Sequence, residues 1–327
     1  MTTPMAVLKK ILVVALAGLL LYLAVRGVDW RGFVQPLQRV DARWVAAAMA
    51  VQLAAFILRG QRWGILLSPV GGTLPVGFAG VMLGYLGNTF LPARAGEVIR
   101  IGAVATRLSA PVGFVAGTAA AERVSDAIAV SLAAFVLVQT VTGAPAWLVG
   151  AATLFGTAGI GLLVALAFLD RVLRRVFPPL RRLPLVGPLM PRIEHVLLDV
   201  EGGVRALTES RTRLARYLAL TVAVWCCDGI VVLLLTHAFG ATLAFAQAMM
   251  LVTGLALASA VPSTPGYIGV TQFVAVSVLV PFGFSQELAL AAIVVLQGTV
   301  VAQVTLWGTL GWAVLAGRRR KGRQPVQ

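Results

Sequence analysis

The sequence predicts an all-α polytopic membrane protein with about six to eight transmembrane helices, from three observations. Hydrophobic residues make up 59 % of the 327-residue chain, and mean hydropathy is +0.92. Charged residues are only 12 %, about half the share in soluble domains. Apolar runs of span length recur along the chain, and a spanning helix needs about 20 such residues. These features exclude a soluble globular protein, a disordered chain and a secreted disulfide scaffold. The longest polar connector, 170–213, is 44 residues, too short for a soluble catalytic domain.

Met5 to Val25 reads as a retained helix, because it has no small-residue cleavage signature and many spans follow. Gly27 to Arg43 is an amphipathic connector. Trp44 to Leu67 is a second span with Arg59 and Arg62 in its last third. After a Gly- and Pro-rich turn, Val76 to Leu91 is apolar but only 16 residues long, and it ends in Asn88-Thr-Phe-Leu-Pro-Ala-Arg-Ala-Gly-Glu97. Pro111 to Val141 carries charges in its first half, whereas Trp147 to Leu169 carries none. Leu214 to Ala238 contains Asp228. Leu243 to Val261 breaks at Pro262-Ser-Thr-Pro-Gly266 and resumes as Tyr267 to Phe282, and Glu287 to Ala316 is one tilted span.

The formal charge is +15, from 27 Lys+Arg against 12 Asp+Glu. Fifteen basic residues lie in two places, ten in 170–216 and five in the Arg318–Arg323 tail. Beside apolar spans this marks a cytoplasmic side and anionic lipid headgroups rather than nucleic acid. Both termini and the connector are therefore expected in the cytoplasm. Counting spans from either end, segment 76–110 must begin and end on the cytoplasmic side, so it reads as a re-entrant hairpin with its tip at Leu91–Glu97. Segment 243–282 must enter from outside. Pro92-x-x-x-Gly96 and Pro262-x-x-x-Gly266 sit 170 residues apart, each after a short apolar helix. Two opposed re-entrant hairpins describe an inverted repeat, a transporter pattern; ordinary Pro and Gly kinks are the plainer alternative. The organisation is then an N-terminal membrane half (1–169), a basic connector (170–213) and a C-terminal half (214–327).

Charges at membrane depth cost about 2.5–3.5 kcal/mol each at a helix centre. After Asp126 the apolar run 127–141 has 15 residues, about 22 Å, less than the hydrocarbon core. Asp126, with Glu122 and Arg123, must therefore lie within the core or at its edge. These three read either as a structural ion-pair network, among themselves or with Arg94 and Arg100, or as a headgroup or coupling site. Asn88, Arg94, Glu97 and Arg100 form the first tip, where an Arg fork suits a phosphate oxyanion. Arg59 and Arg62 share a helical face; on the plainer reading they snorkel to headgroups, and on the other they join the substrate-binding candidates. Asp228 is a proton site or the partner of an Arg. Tyr267, Thr271 and Gln272 offer uncharged hydrogen bonds at the second tip. Adjacent Cys226 and Cys227 read as small buried residues, and two isolated histidines make a metal site improbable. No H-E-x-x-H, G-x-S-x-G or P-loop is present, so neither catalysis nor a cofactor is expected.

Asn88-x-x-Leu-Pro-x-Arg-x-Gly-Glu97-x-x-Arg100, Glu122-Arg123-x-x-Asp126 and Pro262-x-x-Pro-Gly-x-x-Gly269, with Arg59-x-x-Arg62-Trp63 upstream, make the chain resemble the lysylphosphatidylglycerol synthase transmembrane-region family. This is the flippase-like domain also found in the multiple-peptide-resistance factor. The resemblance implies a bacterial inner-membrane protein whose relatives move lipids between leaflets, some of them linked to hopanoid or polyprenyl-glycolipid pathways. Carried over by position, Arg94, Glu97, Arg100, Glu122, Arg123 and Asp126 become functional candidates, with Pro262, Pro265, Gly266 and Gly269 shaping the second tip. The family commonly has an acidic residue just after the position of Val270; this chain has Thr271-Gln272. The soluble aminoacyl-transfer domain is absent from the sequence, so synthesis of the lipid is not implied. The expected function is translocation of a lipid or lipid-linked anionic headgroup, with membrane lipids as partners and homo-oligomerisation left open. The alternatives are an intramembrane enzyme or accessory subunit of lipid or glycolipid modification, and a scaffold for partner membrane proteins.

Overall fold

The structure, a computed structural model, describes residues 4–91, 94–167, 210–259 and 264–317. Pro92, Pro262, nearly all of the 170–213 connector and the basic tail lie outside the described residues. The described chain is all-helical: α1 Pro4–Val25, α2 Trp30–Gln38, α3 Ala42–Leu66, α4 Leu74–Phe90, α5 Ala95–Leu108, α6 Val112–Thr140, α7 Ala146–Ala167, α8 Arg211–Ala238, α9 Phe245–Ala258, α10 Val270–Leu279 and α11 Gln286–Ala316. Polar side chains start several of them. Asp29, Asp41, Ser210 and Ser285 accept backbone N–H bonds in the first turns of α2, α3, α8 and α11. The segment expected only as a connector thus holds a helix, α2, whose start is fixed by Asp29.

Contacts sort the helix ends into two groups. Leu66, Leu67, Val76, Val104, Tyr217 and Leu315 share one apolar cluster. It gathers the ends of α3, α5 and α11 with the starts of α4 and α8, so it lies next to both basic segments and is called the basic end here. At the far end the Asp41 N–H donates to the Ala238 carbonyl at 2.9 Å, and the Trp44 ring meets His237 edge-on at 4.5 Å. The Gln286 amide donates to the carbonyls of Ala24 and Arg26 at 2.7 and 3.2 Å. Leu148, Leu251, Leu279 and Phe284 share the apolar cluster there. α3, α6, α8 and α11 therefore run the length of the bundle, and α3 and α8 lie against each other along it.

Two helix pairs do not. α4 and α5 both have their roots at the basic end and pack antiparallel. The register reads off the glycines: a Cβ on Gly80 would meet Val104, and one on Gly84 would meet Arg100. A Cβ on Gly96 would overlap the Gly84 carbonyl oxygen, so only glycine allows this approach. α9 and α10 are rooted at the far end, with Gly254 against Val274 and Leu251 beside Leu279. The four helices have 17, 14, 14 and 10 residues, about 15–25 Å each, all short of a bilayer core of about 30 Å. Taken as one run, Pro265–Phe282 reaches span length. Yet Gly266, Tyr267 and Gly269 have φ of 70, 58 and 90°, which breaks the helix before Val270. Conversely, α6 has 29 residues, about 43 Å, and Glu122 in its first half is buried, so it too is long enough to cross.

Candidate functional site

The breaks of the two pairs meet. The Arg94 guanidinium donates to the Ser259 carbonyl, and a Cβ on Gly266 would stand 4.0 Å from the Thr89 carbonyl oxygen. Arg94 itself has φ 54°, a strained backbone for a residue with a Cβ, and it starts α5.

Beside this junction, toward the basic end, lies an ion-pair cluster. Arg62 on α3 clamps Asp126 of α6 with two bonds, 2.6 and 2.8 Å, and reaches Glu122 at 3.3 Å. The other oxygen of Glu122 accepts from Arg100 at 3.0 Å, and the Arg100 Nε donates to Glu97 at 2.7 Å. Asn88 donates to Glu97 at 3.4 Å. Arg59 and Asp228 pair at 2.5 Å between α3 and α8. Arg62, Arg100 and Glu122 are each 1 % exposed. The helical spacing explains the convergence: Arg59, Arg62 and Trp63 share one face of α3, and Glu122 and Asp126 one face of α6.

Aromatic side chains wall the cluster. The Arg100 guanidinium stacks 4.5 Å over the Trp63 ring, and Arg62 lies 5.6 Å from the Tyr217 ring. The Trp63 indole donates to Thr118 at 3.2 Å, and the Tyr217 hydroxyl pairs with Ser125 at 2.6 Å. Arg62 also donates to Thr221 at 3.4 Å. Each of the buried ions Arg62, Arg100 and Glu122 has at least two oppositely charged partners, which makes its burial tolerable.

Four cations (Arg59, Arg62, Arg100, Arg123) face four carboxylates (Glu97, Glu122, Asp126, Asp228). The balance is uneven. Arg123 is 39 % exposed and touches its acids only at 3.5–3.9 Å, and its Nε has no hydrogen-bond partner among the described residues. Arg94 bonds a neutral carbonyl. These two arginines retain the most capacity for a further anion.

The second break carries a neutral network. Gln272 accepts from the Gly269 N–H at 2.7 Å and from Thr271 at 3.0 Å, and donates to Gln297 of α11 at 2.6 Å. Gln297 donates in turn to the Gly266 carbonyl and to Thr271 at 3.1 and 2.7 Å. Gln272 thus caps the start of α10 with an uncharged amide. The single Thr271 hydroxyl proton is shared between Gln272 and the Tyr267 carbonyl, also 3.0 Å away, and Pro265, Gly266 and Tyr267 form a single 3-10 turn. The hydrogen-bonding capacity of Thr271, expected for a ligand, is largely engaged within the turn.

Most sequence-derived candidates therefore converge: Asn88, Glu97, Arg100, Glu122, Arg123, Asp126, Arg59 and Arg62 in one cluster, with Arg94, Gly266, Tyr267, Gly269 and Thr271 at the junction. Pro262 lies outside the described residues. Two expectations are corrected. Arg59 and Arg62 do not snorkel outward; Asp228 and Asp126 draw them into the bundle. Cys226 and Cys227 are half-buried and unbridged rather than buried. Asp228 resolves as the partner of an Arg. The reading missed Gln297 and the buried pair Gln303–Gln52, 2.6 Å apart between α11 and α3. An uncharged amide in an apolar run was the available signal.

Comparison with known proteins agrees. One curated relative, named glycosyltransferase AglD, from Haloferax volcanii, is 33 % identical over 129 residues, 38 % of this chain and 20 % of that protein. The chain thus spans about a fifth of that relative's length. The profile described as the lysylphosphatidylglycerol synthase TM region matches residues 10–308. With that match covering nearly its whole length, the chain belongs to the lysylphosphatidylglycerol synthase TM-region family, as a multi-pass membrane protein.

Proposed function

We propose that the protein translocates the anionic headgroup of a membrane lipid between leaflets of a bacterial inner membrane, without altering it chemically. In this reading α4–α5 and α9–α10 are re-entrant hairpins entering from opposite sides, the two halves of an inverted repeat. Both termini face the cytoplasm. The observation that carries the reading is the meeting of two helix breaks beside a buried, nearly neutral ion-pair cluster. Broken backbone at membrane depth must be covered by protein or line a wet cavity. Paired helix breaks at the midplane are where transporters bind their substrates. Arg123 and Arg94 would take the phosphate, acyl chains staying in the bilayer. The tightly paired arginines would hold the surrounding frame.

The relative's name, a glycosyltransferase, supports a second reading as an intramembrane enzyme or accessory subunit of glycan modification. It is disfavoured by the carboxylates: Glu97, Glu122, Asp126 and Asp228 are each engaged by an arginine, so their oxygens are committed to guanidinium groups rather than to a substrate proton. Reconstitution separates the readings. Liposomes holding the purified protein and headgroup-labelled phosphatidylglycerol are treated with a membrane-impermeant quencher. Loss of the inner-leaflet signal with intact lipid supports translocation. A new lipid species on chromatography supports the enzyme, and neither result with folded protein removes both.

A further inference from the structure

The short helix α2 joins the far end of α1 to the far end of α3 and leans on the start of α11. The Asp29 N–H donates to Glu287 at 3.4 Å, and a Cβ on Gly32 would stand 3.4 Å from the Glu287 side chain. No residue of α2 is buried, so this contact covers only part of the helix.

At about 100° per residue the side chains of α2 divide into three sectors. Gly32, Pro36, Phe33 and Leu37 follow one another around one side and are half-buried against the protein. Trp30 and Val34 come next, 60 % and 45 % exposed, and with Phe33 and Leu37 they make an apolar arc of about 100°. Gln38, Arg31 and Gln35 fill the remaining side, and all are exposed. The exposed half of the helix is thus itself split, one edge apolar and the other polar. Water around both edges would leave Trp30 and Val34 uncovered, and hydrocarbon around both would strand Arg31. A bilayer surface suits both edges at once.

Two further observations place α2 at such a surface. Exposed aromatic side chains gather at this end of the chain: Tyr22 in the last turn of α1, Trp30 itself, and Trp44 in the first turn of α3. Tyr and Trp concentrate at the headgroup level of membranes, and α3 and α11, which start here, are long and apolar enough to cross one. The charges agree. Arg26, Arg31, Arg39 and Arg43 are exposed and form no ion pair among the described residues. Between them stand two acids, Asp29 and Asp41, both accepting backbone N–H bonds as helix caps. This positive excess suits anionic headgroups.

We propose that α2 is an interfacial anchor lying on an anionic bilayer surface at the far end of the bundle. Trp30 and Val34 enter the acyl boundary, and Arg31 and Arg39 meet lipid phosphates. The anchor stands whether or not the protein translocates lipid, since it uses none of the residues at the helix breaks. Its consequence is positional: it fixes the end of α1, whose Ala17 carbonyl leaves no room for a Cβ on Gly269 at the second break.

The test uses the full chain, with Cys226 and Cys227 replaced by Ser, in vesicles of equal parts phosphatidylcholine and phosphatidylglycerol. A nitroxide is attached in Val34→Cys or in Gln35→Cys. Its collisions with oxygen, which concentrates in the bilayer, are compared with those with a water-soluble nickel chelate. The label at position 34 is expected about 5–10 Å into the headgroup and acyl boundary, and the label at position 35 in water. Adding Arg31→Gln and Arg39→Gln together should move the label at position 34 outward in these vesicles, but not in phosphatidylcholine alone. Both labelled positions are exposed, so neither change removes a packed side chain; should either variant fail to fold, Trp30→Cys and Gln38→Cys take their place. Water exposure at both positions, or spin–spin broadening at position 34 that marks a second copy of the chain, would overturn the membrane assignment. An unmoved label in the arginine variant would overturn the assignment to anionic headgroups.

Discussion

At Glu122 two arginines from different helices converge on one carboxylate, each oxygen held by one of them. All three groups are 1 % exposed; without the Glu122 charge Arg62 keeps only Asp126 and Arg100 only Glu97, which leaves the buried cluster one positive charge in excess. Glu122→Gln should therefore cost about 3–5 kcal/mol in unfolding free energy and lower the yield of folded protein. Arg123, one position along, is the contrasting case. It is 39 % exposed, with no ion contact under 3.5 Å, and exposed pairs contribute about 0–1 kcal/mol. Arg123→Leu should leave thermal unfolding in detergent nearly unchanged while slowing lipid exchange about tenfold, if this guanidinium meets the phosphate. A variant that folds normally and exchanges lipid at full rate would remove Arg123 from the site. Arg94→Lys tests the other candidate. It keeps the charge but loses the planar fork, and slower exchange at unchanged stability is expected.

At the scale of the helix, the α4–α5 pair rests on glycine contacts. A methyl on Gly96 has nowhere to go but into the Gly84 carbonyl, so Gly96→Ala should force the pair apart. Thermal stability and the yield of folded protein should both drop sharply, whereas Gly102→Ala on the open side of α5 should be neutral or mildly stabilising. The helix limits were largely legible, because apolar runs end at Pro, Gly and charge: Pro4–Val25 against an expected Met5–Val25, and Val112–Thr140 against Pro111–Val141. The buried charges were legible as a group, since the 15 apolar residues after Asp126 cannot span the core. Their partners were not. The choice of Asp126 for Arg62 and Asp228 for Arg59 depends on how α3, α6 and α8 rotate against each other, and no local spacing encodes that rotation. The snorkelling expectation failed for this reason: helical spacing put both arginines on one face, but could not say that the face turns inward.

For the whole molecule, the two groups of helix ends impose a topology. The open ends of α4–α5 lie with the basic segments and those of α9–α10 lie opposite. Basic residues favour the cytoplasm, so Arg182→Cys in the connector should resist an impermeant maleimide in intact cells. Thr142→Cys, exposed between α6 and α7 at the far end, should react, with Cys226 and Cys227 replaced by Ser in both cases. The reverse pattern would invert every assigned direction.

In the proposed function the headgroup passes through the junction of the two helix breaks, and locking that junction tests the account most directly. Thr89 and Gly266 approach across that junction, so cysteines at both positions should be joined by a short bifunctional thiol reagent with a reducible link. Leaflet exchange of labelled phosphatidylglycerol in liposomes is then followed before and after reduction. Exchange should be lost in the linked protein and return on reduction, with single-cysteine controls unaffected throughout. Efficient cross-linking with exchange undiminished would contradict the account, because headgroups would then be passing somewhere other than between the two breaks.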